Sequence, residues 1–266
     1  MPKVIVTTGL RSGPDRRALA AGLSRELECP FILRDGRSLA QLQGESGAEA
    51  VVVVGGRRVS LFYAGRELFF HPGMAKLRIK ELRAGKTDQM VKAMDLRPGH
   101  RVLDCTLGLA ADALVASYVV GPRGLVLGLE ASRPLAVIVR HGLATYGGKG
   151  EAPDLLAAMR RIGVAHADHR EFLARTPAGA YDVVYFDPMF RHPVYRSSAM
   201  EPLRPLAETA PLDTAAITEA KRVAARRVVV KERRDGPEFA RLGLTRVESG
   251  RYSPVAFGIL ERGRDY

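Results

Sequence analysis

The chain has 266 residues, of which 46% are hydrophobic and 26% charged, so it can bury the core of one or two globular domains. No apolar run approaches the roughly 20 residues of a membrane span, and the opening MPKVIVTTGL lacks the apolar segment of a signal peptide, so we expect a cytoplasmic protein without a membrane partner. The 41 Lys and Arg against 29 Asp and Glu give a net charge of +12, which favours a polyanion such as RNA or DNA; alternatively, the charge only keeps the protein in solution.

The N-terminal part alternates short apolar segments with one helical pattern. A helix is expected over residues 14–27, where leucines recur every four residues behind a proline in the first turn. Strands are expected over residues 3–8, 50–54, 59–64 and 67–71. We therefore predict a small α+β domain over residues 1–73. A helical linker follows over residues 74–99, with helices over 74–83 and 87–96.

From residue 100 onward, apolar strands alternate with amphipathic helices. The expected strands cover residues 101–104, 124–130, 164–167, 182–186 and 227–231, and the expected helices 112–119, 134–145, 154–161, 170–175 and 213–225. This alternation predicts a parallel sheet covered by helices on both faces. Residues 244–249 and 255–261 form two further strands with only a turn between them. We therefore predict an α/β, Rossmann-like domain over residues 100–266, mostly parallel with a C-terminal antiparallel hairpin.

The turn after the first parallel strand is a candidate ligand loop, because open α/β sheets bind ligands at the carboxyl ends of their strands. Asp104 ends the strand, Thr106, Gly108 and Ala110 form the turn, and Asp112 opens the next helix. Gly108 lets the backbone approach a ligand, and the helix N-terminus can meet a carboxylate. The loop is not GxGxxG, since Ala110 stands where a second glycine is usual. The alternative is an ordinary strand-to-helix turn.

Two further acids follow the next two strands. Glu130 ends the second strand, where a carboxylate can accept hydrogen bonds from both hydroxyls of a ribose. Asp168 follows the third strand and could accept from an adenine amino group, although it could equally cap the helix after it. Together they indicate a nucleoside cofactor without naming it.

The fourth strand ends in Asp187-Pro188-Met189-Phe190, which suits the methylation of an amine. The Asp187 carboxylate and the Pro188 carbonyl can accept from an amine and hold its nitrogen in line, while Phe190 can stack on an unpaired base. Lys231 ends the fifth strand on the same edge and could contact a phosphate or the base. The alternative is a strand corner with a buried aromatic and a solvated lysine.

Neither cysteines nor histidines form a metal-ligand pattern. Cys29 and Cys105 are far apart, and no acid or third ligand is spaced to join His169 and His192. We therefore expect no metal site.

These motifs resemble those of the RsmJ-type (YhiQ-like) methyltransferases, which act on a guanine N2 amine in small-subunit ribosomal RNA. The matching segments are DCTLGLAADAL (104–114), VVYFDPMF (183–190), RRVVVKERRD (226–235) and TDQMVKAMDLRPG (87–99). The resemblance implies a class I methyltransferase fold, S-adenosyl-L-methionine as cofactor and ribosomal RNA as partner. It also implies cofactor contacts by Asp104, Thr106, Gly108, Ala110, Asp112, Glu130 and Asp168, and catalytic roles for Asp187, Pro188, Phe190 and Lys231. Two departures from the family pattern are Ala110 and Arg191, which stands where proline is expected. Residues 191–205 also align poorly, so the resemblance supports the assignment of the cofactor better than the assignment of the target nucleotide.

Other functions are compatible with the same motifs. The target could be an amine of another RNA, of DNA or of a protein, or the chain could be a nucleic-acid-binding protein with a vestigial methyltransferase fold. A NAD-dependent oxidoreductase is disfavoured by the missing GxGxxG and by the terminal hairpin. Candidate phosphate contacts are the basic residues of 74–83 together with Arg16, Arg17, Arg57 and Arg58.

Overall fold

The computed structural model describes residues 2–147, 150–188, 211–244 and 246–262, which form two β-sheets and their covering helices. The first sheet has the strand order β1-β2-β3-β4, with β1 and β2 parallel and the others antiparallel. Its elements are β1 (Val4–Thr8), α1 (Pro14–Leu27), α2 (Leu39–Ser46), β2 (Ala50–Val54), β3 (Val59–Tyr63) and β4 (Arg66–Phe69). Two helices then lead to the second sheet, α3 (Gly73–Arg83) and α4 (Gln89–Met94).

The second sheet has the strand order β10-β11-β9-β8-β5-β6-β7. Strands β5 to β9 run parallel, and β11 runs antiparallel to both β9 and β10. The elements are β5 (Arg101–Asp104), α5 (Ala111–Val120), β6 (Leu125–Glu130), α6 (Arg133–Thr145), α7 (Pro153–Arg160), β7 (Ile162–His166), α8 (His169–Arg175), β8 (Tyr181–Phe186), α9 (Thr214–Val223), β9 (Ala224–Arg233), α10 (Glu238–Arg241), β10 (Arg246–Ser249) and β11 (Val255–Glu261). The predicted parallel sheet with its antiparallel terminal hairpin is therefore confirmed.

Several elements differ from the sequence-based expectation, among them strand β9 and the two unpredicted helices α2 and α10. Strand β9 extends at both ends beyond the predicted residues 227–231, because it pairs with β8 on one side and with β11 on the other. Helix α2 was not predicted, although its start carries a recognisable signal. Ser38 accepts from the Gln41 N–H while the Gln41 side chain accepts from the Ser38 N–H, which is the capping box of an S-x-x-Q sequence.

The two sheets share a hydrophobic core, with α6 lying between them. The cluster that includes Val52 of β2 also includes Val102 of β5 and Ile138 of α6. At the periphery, ion pairs link α6 to the end of α1, Arg140 to Glu26 and Arg133 to Glu28. The N-terminal residues therefore pack against the parallel sheet, and a domain boundary near residue 73 stays a prediction. Among the described residues, no helix combines the length and the apolar surface needed to cross a membrane.

This packing brings Gly142 of α6 into close contact with Phe70. A Cβ atom at Gly142 would lie 2.2 Å from Cβ of Phe70, nearer than packed side chains come. We expect Gly142→Ala to lower the free energy of unfolding by about 1–3 kcal/mol, measured by urea denaturation, because the helix must move away from Phe70. The control is Gly22→Ala in α1, where a Cβ meets nothing within 4 Å and the helix gains up to about 1 kcal/mol. Equal stabilisation by both changes would contradict this packing.

Candidate active site

The carboxyl ends of four neighbouring strands carry the candidate site. The strand order β9-β8-β5-β6 places Lys231, Asp187, Asp104 and Glu130 along one edge of the sheet in that sequence. Asp104 and Glu130 are the last residues of β5 and β6, Asp187 follows β8 directly, and Lys231 lies near the end of β9. The structure therefore brings together residues that are up to 127 positions apart in sequence (231 − 104).

Thr106 joins the loop after β5 to the loop after β8. Its hydroxyl oxygen accepts the backbone N–H of Asp187 at 2.6 Å and donates toward Oδ1 of Asp104 at 3.4 Å. The same Asp104 oxygen accepts the backbone N–H of Thr106 at 3.0 Å. Asp104 is only 2% exposed, and burial raises the pKa of its carboxyl to about 8. At neutral pH this carboxyl is therefore mostly protonated.

Ala110 occupies a backbone conformation that favours glycine. Its φ of +61° lies in the left-handed region, at the residue before the first turn of α5. A side chain there costs about 1–2 kcal/mol, which accounts for the second glycine usual at this position. Gly108 has a φ of +50°, and a Cβ atom there would meet nothing closer than the Thr106 carbonyl oxygen at 3.9 Å. The backbone at Gly108 therefore borders open space.

Glu130 is the acid at the end of β6. One carboxylate oxygen accepts the N–H of Gly108 at 3.1 Å and the other accepts the N–H of Ser132 at 2.8 Å. Glu130 is 8% exposed, and burial raises its pKa to about 7. Since a carboxylate has about four acceptor positions, each oxygen can take one more donor. The two hydroxyl groups of a ribose could supply these two additional donors.

Asp168 has the structural role that we gave as its alternative. Its carboxylate accepts the backbone N–H of Arg170 at 2.7 Å, capping α8, and pairs with the Arg170 guanidinium at 2.6 Å. The hydrogen bond from Arg170 lowers the pKa of Asp168 to about 2. A contact between Asp168 and an adenine stays a prediction.

Asp112 is the centre of a charge network that the sequence did not reveal. Its Oδ1 pairs with the guanidinium of Arg78, and its Oδ2 accepts from the Tyr185 hydroxyl at 2.7 Å and from Nζ of Lys231 at 3.1 Å. Burial alone would raise the pKa of Asp112, but Lys231 and Arg78 outweigh it and hold that pKa well below its usual range. These three partners are side chains of the protein, and the cofactor contact of Asp112 stays a prediction.

Lys231 connects Asp112 to Asp187. Its Nζ lies 2.7 Å from Oδ2 of Asp187, and the side chains of Asp112, Lys231 and Asp187 are 11%, 23% and 26% exposed. Burial would lower the pKa of Lys231, yet the two carboxylates raise it above its usual value, so the ammonium stays charged. Burial and the nearby Asp112 raise the pKa of Asp187 to about 6, against the attraction of Lys231.

Arg78 brings the linker helices into this network. It is the side chain of α3 that contacts Asp112, and it also pairs with both oxygens of Asp88, at 2.7 and 2.9 Å. Asp88 in turn caps α4 by accepting the N–H of Val91 at 3.1 Å. The basic residues of 74–83 are candidates for phosphate contacts, but the Arg78 guanidinium pairs with Asp88 and Asp112 inside the protein.

Some candidate residues fall outside the described part of the chain. Phe190, Arg191 and His192 lie there, whereas Pro188 is described and partly buried. His169 packs edge-on against Phe186, with ring centroids 5.7 Å apart. Within the described ranges, no group of three or more His, Cys, Asp or Glu side chains is placed to hold a metal ion.

Comparison with known proteins agrees with this geometry. Residues 66–248 match the model of a family of SAM-dependent methyltransferases. The chain is 40% identical over 240 residues to the uncharacterized protein YpiP of Bacillus subtilis, covering 90% of this chain and 92% of that one. It is 31% identical over 212 residues to the ribosomal RNA small subunit methyltransferase J of Pseudomonas aeruginosa, covering 74% and 77%.

A solved structure shows the same fold. The SAM-dependent methyltransferase NGO1261 from Neisseria gonorrhoeae superposes with a TM-score of 0.65 at 17% identity, covering 97% of this chain and 96% of that one. The family match spans more than half of the chain and includes the loops that carry Asp104, Glu130, Asp187 and Lys231. The chain therefore belongs to the RsmJ-type family of SAM-dependent methyltransferases.

Proposed function

We propose that this methyltransferase transfers a methyl group to an exocyclic base amine in RNA, and that the amine is N2 of a guanine in small-subunit ribosomal RNA. The observation that carries the proposal is the placement of Asp187, which is held by Lys231 and linked through Thr106 to Asp104 at the end of β5. Relatives named ribosomal RNA small subunit methyltransferase J and the net charge of +12 support RNA as the substrate.

The residues after β5 and β6 suit S-adenosyl-L-methionine. Glu130 offers acceptor capacity for two ribose hydroxyls, and the open space at Gly108 admits a ligand close to the backbone. The N-terminus of α5 has no side-chain cap, so its N–H groups can meet a carboxylate. When bound, the cofactor supplies a methyl group on a positively charged sulfur. We assign Glu130, Gly108 and the start of α5 to holding it.

Asp187 and Pro188 then act on the incoming amine. Their carboxylate and carbonyl oxygens accept the two N–H groups, which localises the nitrogen lone pair and orients it toward the methyl group. On accepting the methyl group that the bound cofactor would supply, the amine nitrogen would gain a bond to carbon and would lose one proton. Asp187, with its pKa raised to about 6, is a suitable acceptor for that proton near neutral pH. Lys231 stays charged throughout and fixes the carboxylate.

The identity of the substrate can be tested in cells and with purified components. Nucleosides of small-subunit ribosomal RNA from wild-type and deletion cells would be compared by mass spectrometry, and we expect the deletion to lack one N2-methylguanosine. Labelled methyl transfer to RNA, DNA and protein pools provides the second test. Label in DNA or protein only, or an unchanged nucleoside profile, would contradict the proposal.

Glu130 should determine cofactor affinity. Glu130→Gln replaces one acceptor by an amide donor, so at least one hydrogen bond to a charged group is lost, on the order of 1.5–3 kcal/mol. We therefore expect calorimetry to show S-adenosylhomocysteine binding at least about tenfold more weakly. Glu171→Gln, an exposed glutamate of α8, is the control and should bind normally. Unchanged affinity in a folded Glu130→Gln protein would remove Glu130 from the site.

Asp187 should determine the rate and not the affinity for the cofactor. Asp187→Asn keeps the shape of the side chain but weakens the acceptor, so we expect kcat to fall about 10²–10³-fold with cofactor binding retained. Asp182→Asn, at the other end of β8, removes a carboxylate from the opposite edge and should leave kcat unchanged. Methyl transfer by Asp187→Asn at the wild-type rate would show that this loop does not hold the amine.

The rate should also depend on pH through Asp187. A pKa raised to about 6 means that the carboxylate loses its charge at a higher pH than a free aspartate, so kcat should fall as the pH drops below about 6. Asp112→Asn removes the like charge beside Asp187 and should move this acid limb to lower pH. Single-turnover rates at saturating cofactor measure the shift. A limb that stays in place or moves to higher pH would refute the coupling.

A further inference from the structure

The turn of the terminal hairpin, residues 250–254, carries an unusually exposed aromatic residue. Tyr252 is 85% exposed, and the guanidinium carbon of Arg251 lies 5.5 Å from the centroid of its ring. Arg234, at the end of the neighbouring strand, donates from Nη1 to the carbonyl oxygen of Arg251 at 3.1 Å. The aromatic ring and the guanidinium group of Arg251 therefore lie on one turn, and Arg234 contacts that turn from the neighbouring strand end.

This hairpin turn lies on the same sheet edge as the candidate active site. Val255 at the start of β11 pairs with Arg233 of β9, and the N–H of Arg234 donates to the Pro254 carbonyl at 2.9 Å. Arg234 follows Lys231 by three positions, which is about 10 Å along an extended strand. A strand of nucleic acid with its target base at Asp187 would therefore pass close to the hairpin turn.

The hairpin turn is anchored on its inner side. A Cβ atom at Gly250 would lie 1.7 Å from Nε2 of Gln89, so the turn packs closely against the start of α4. Within the turn, the Ser253 N–H donates to the Gly250 carbonyl at 3.1 Å. The exposure of Tyr252 is thus a property of an ordered turn, and its ring is available to a partner.

Several basic residues that the sequence suggested as phosphate contacts are neutralised inside the chain. Arg58 pairs with Glu67 at 3.0 Å, Lys76 pairs with Glu151 at 2.8 Å, and Arg83 pairs with Asp154. Arg234 instead contacts a carbonyl oxygen, and Arg251 contacts the aromatic ring of Tyr252. Neither partner carries a negative charge, so these contacts do not neutralise the two arginines. The charge of the hairpin turn therefore suits a polyanion better than that of α3 does.

We propose that the hairpin turn is a binding surface for single-stranded RNA beside the target nucleotide, with Tyr252 stacking on a base and Arg251 and Arg234 contacting phosphates. This inference rests on the proposed function, and it specifies that the hairpin turn binds the RNA next to the target nucleotide. Stacking needs an unpaired base, because the faces of paired bases are covered by their neighbours. The surface consequently distinguishes single-stranded RNA from a duplex.

Binding of a short labelled single-stranded oligoribonucleotide to the full chain, followed by fluorescence anisotropy, tests the stacking. We expect Tyr252→Ala to bind about 5- to 150-fold more weakly and Tyr252→Phe to bind as the wild type does. With a duplex of the same sequence, Tyr252→Ala should bind nearly normally. Equal losses in the Ala and Phe variants, or an unchanged affinity in Tyr252→Ala, would overturn the stacking role.

The phosphate contacts are tested by salt dependence. Arg251→Ala should reduce the slope of log K against log salt by about 0.7, the contribution of one single-strand phosphate. Arg123→Ala, an exposed arginine before β6 at the opposite edge, is the matched control and should leave the slope unchanged. Equal changes in both variants would show that only the total charge matters and would overturn the assignment.

Failure of this inference is distinguishable from failure of the proposed function. Labelled methyl transfer to unmodified small-subunit ribosomal RNA is measured with the same preparations, with S-adenosylhomocysteine affinity as a check on folding. Transfer by the wild type with an unchanged KM for RNA in Tyr252→Ala refutes the hairpin surface alone. A wild type that binds the cofactor but transfers no methyl group to RNA refutes the proposed function, and the hairpin surface with it.

Discussion

The site depends on one ammonium group shared by two carboxylates. Lys231 lies 2.7 Å from Asp187 and 3.1 Å from Asp112, and neither acid is more than about a quarter exposed. Two such carboxylates repel each other unless positive charge lies between them, so removing Lys231 would leave buried charge uncompensated. Arg78 supplies the second positive charge from the far side of Asp112. This balance keeps Asp187 in place while leaving it readily protonated, as its raised pKa indicates.

The same network makes the linker helices part of the candidate site. Arg78 belongs to α3 and is held by Asp88, which caps α4, so the two helices before the parallel sheet set the position of Asp112. The hydrophobic core is also continuous from the N-terminal sheet through α6 to β5. The N-terminal sheet and β5 are thus connected by continuous packing. The resulting expectation is that the two parts of the chain fold cooperatively.

The two sides of the edge have different electrostatics. At the ends of β5 and β6, Asp104 and Glu130 are buried, and burial raises their pKa values to about 8 and about 7. At the ends of β8 and β9, Asp187 is paired with Lys231, which remains protonated. Thr106 joins the two sides by one hydroxyl group that touches both Asp104 and Asp187. A ligand that brings positive charge close to Asp104 and Glu130 would favour the ionised form of both carboxyls. Binding of such a ligand would therefore depend on pH.

The sequence by itself determined the order of the strands and of most helices along the chain, because hydrophobic periodicity and turn residues act over short distances. It also placed Asp104, Glu130, Asp187 and Lys231 at strand ends, which the parallel arrangement then brings to one edge. Only the tertiary structure decided their partners. Arg78 and Asp112 are 34 residues apart and Lys231 and Asp112 are 119 apart, so no local pattern could pair them. The phosphate contact predicted for Arg78 therefore missed its pairing with Asp88 and Asp112, because an ion pair between distant residues depends on how helices pack and not on sequence periodicity.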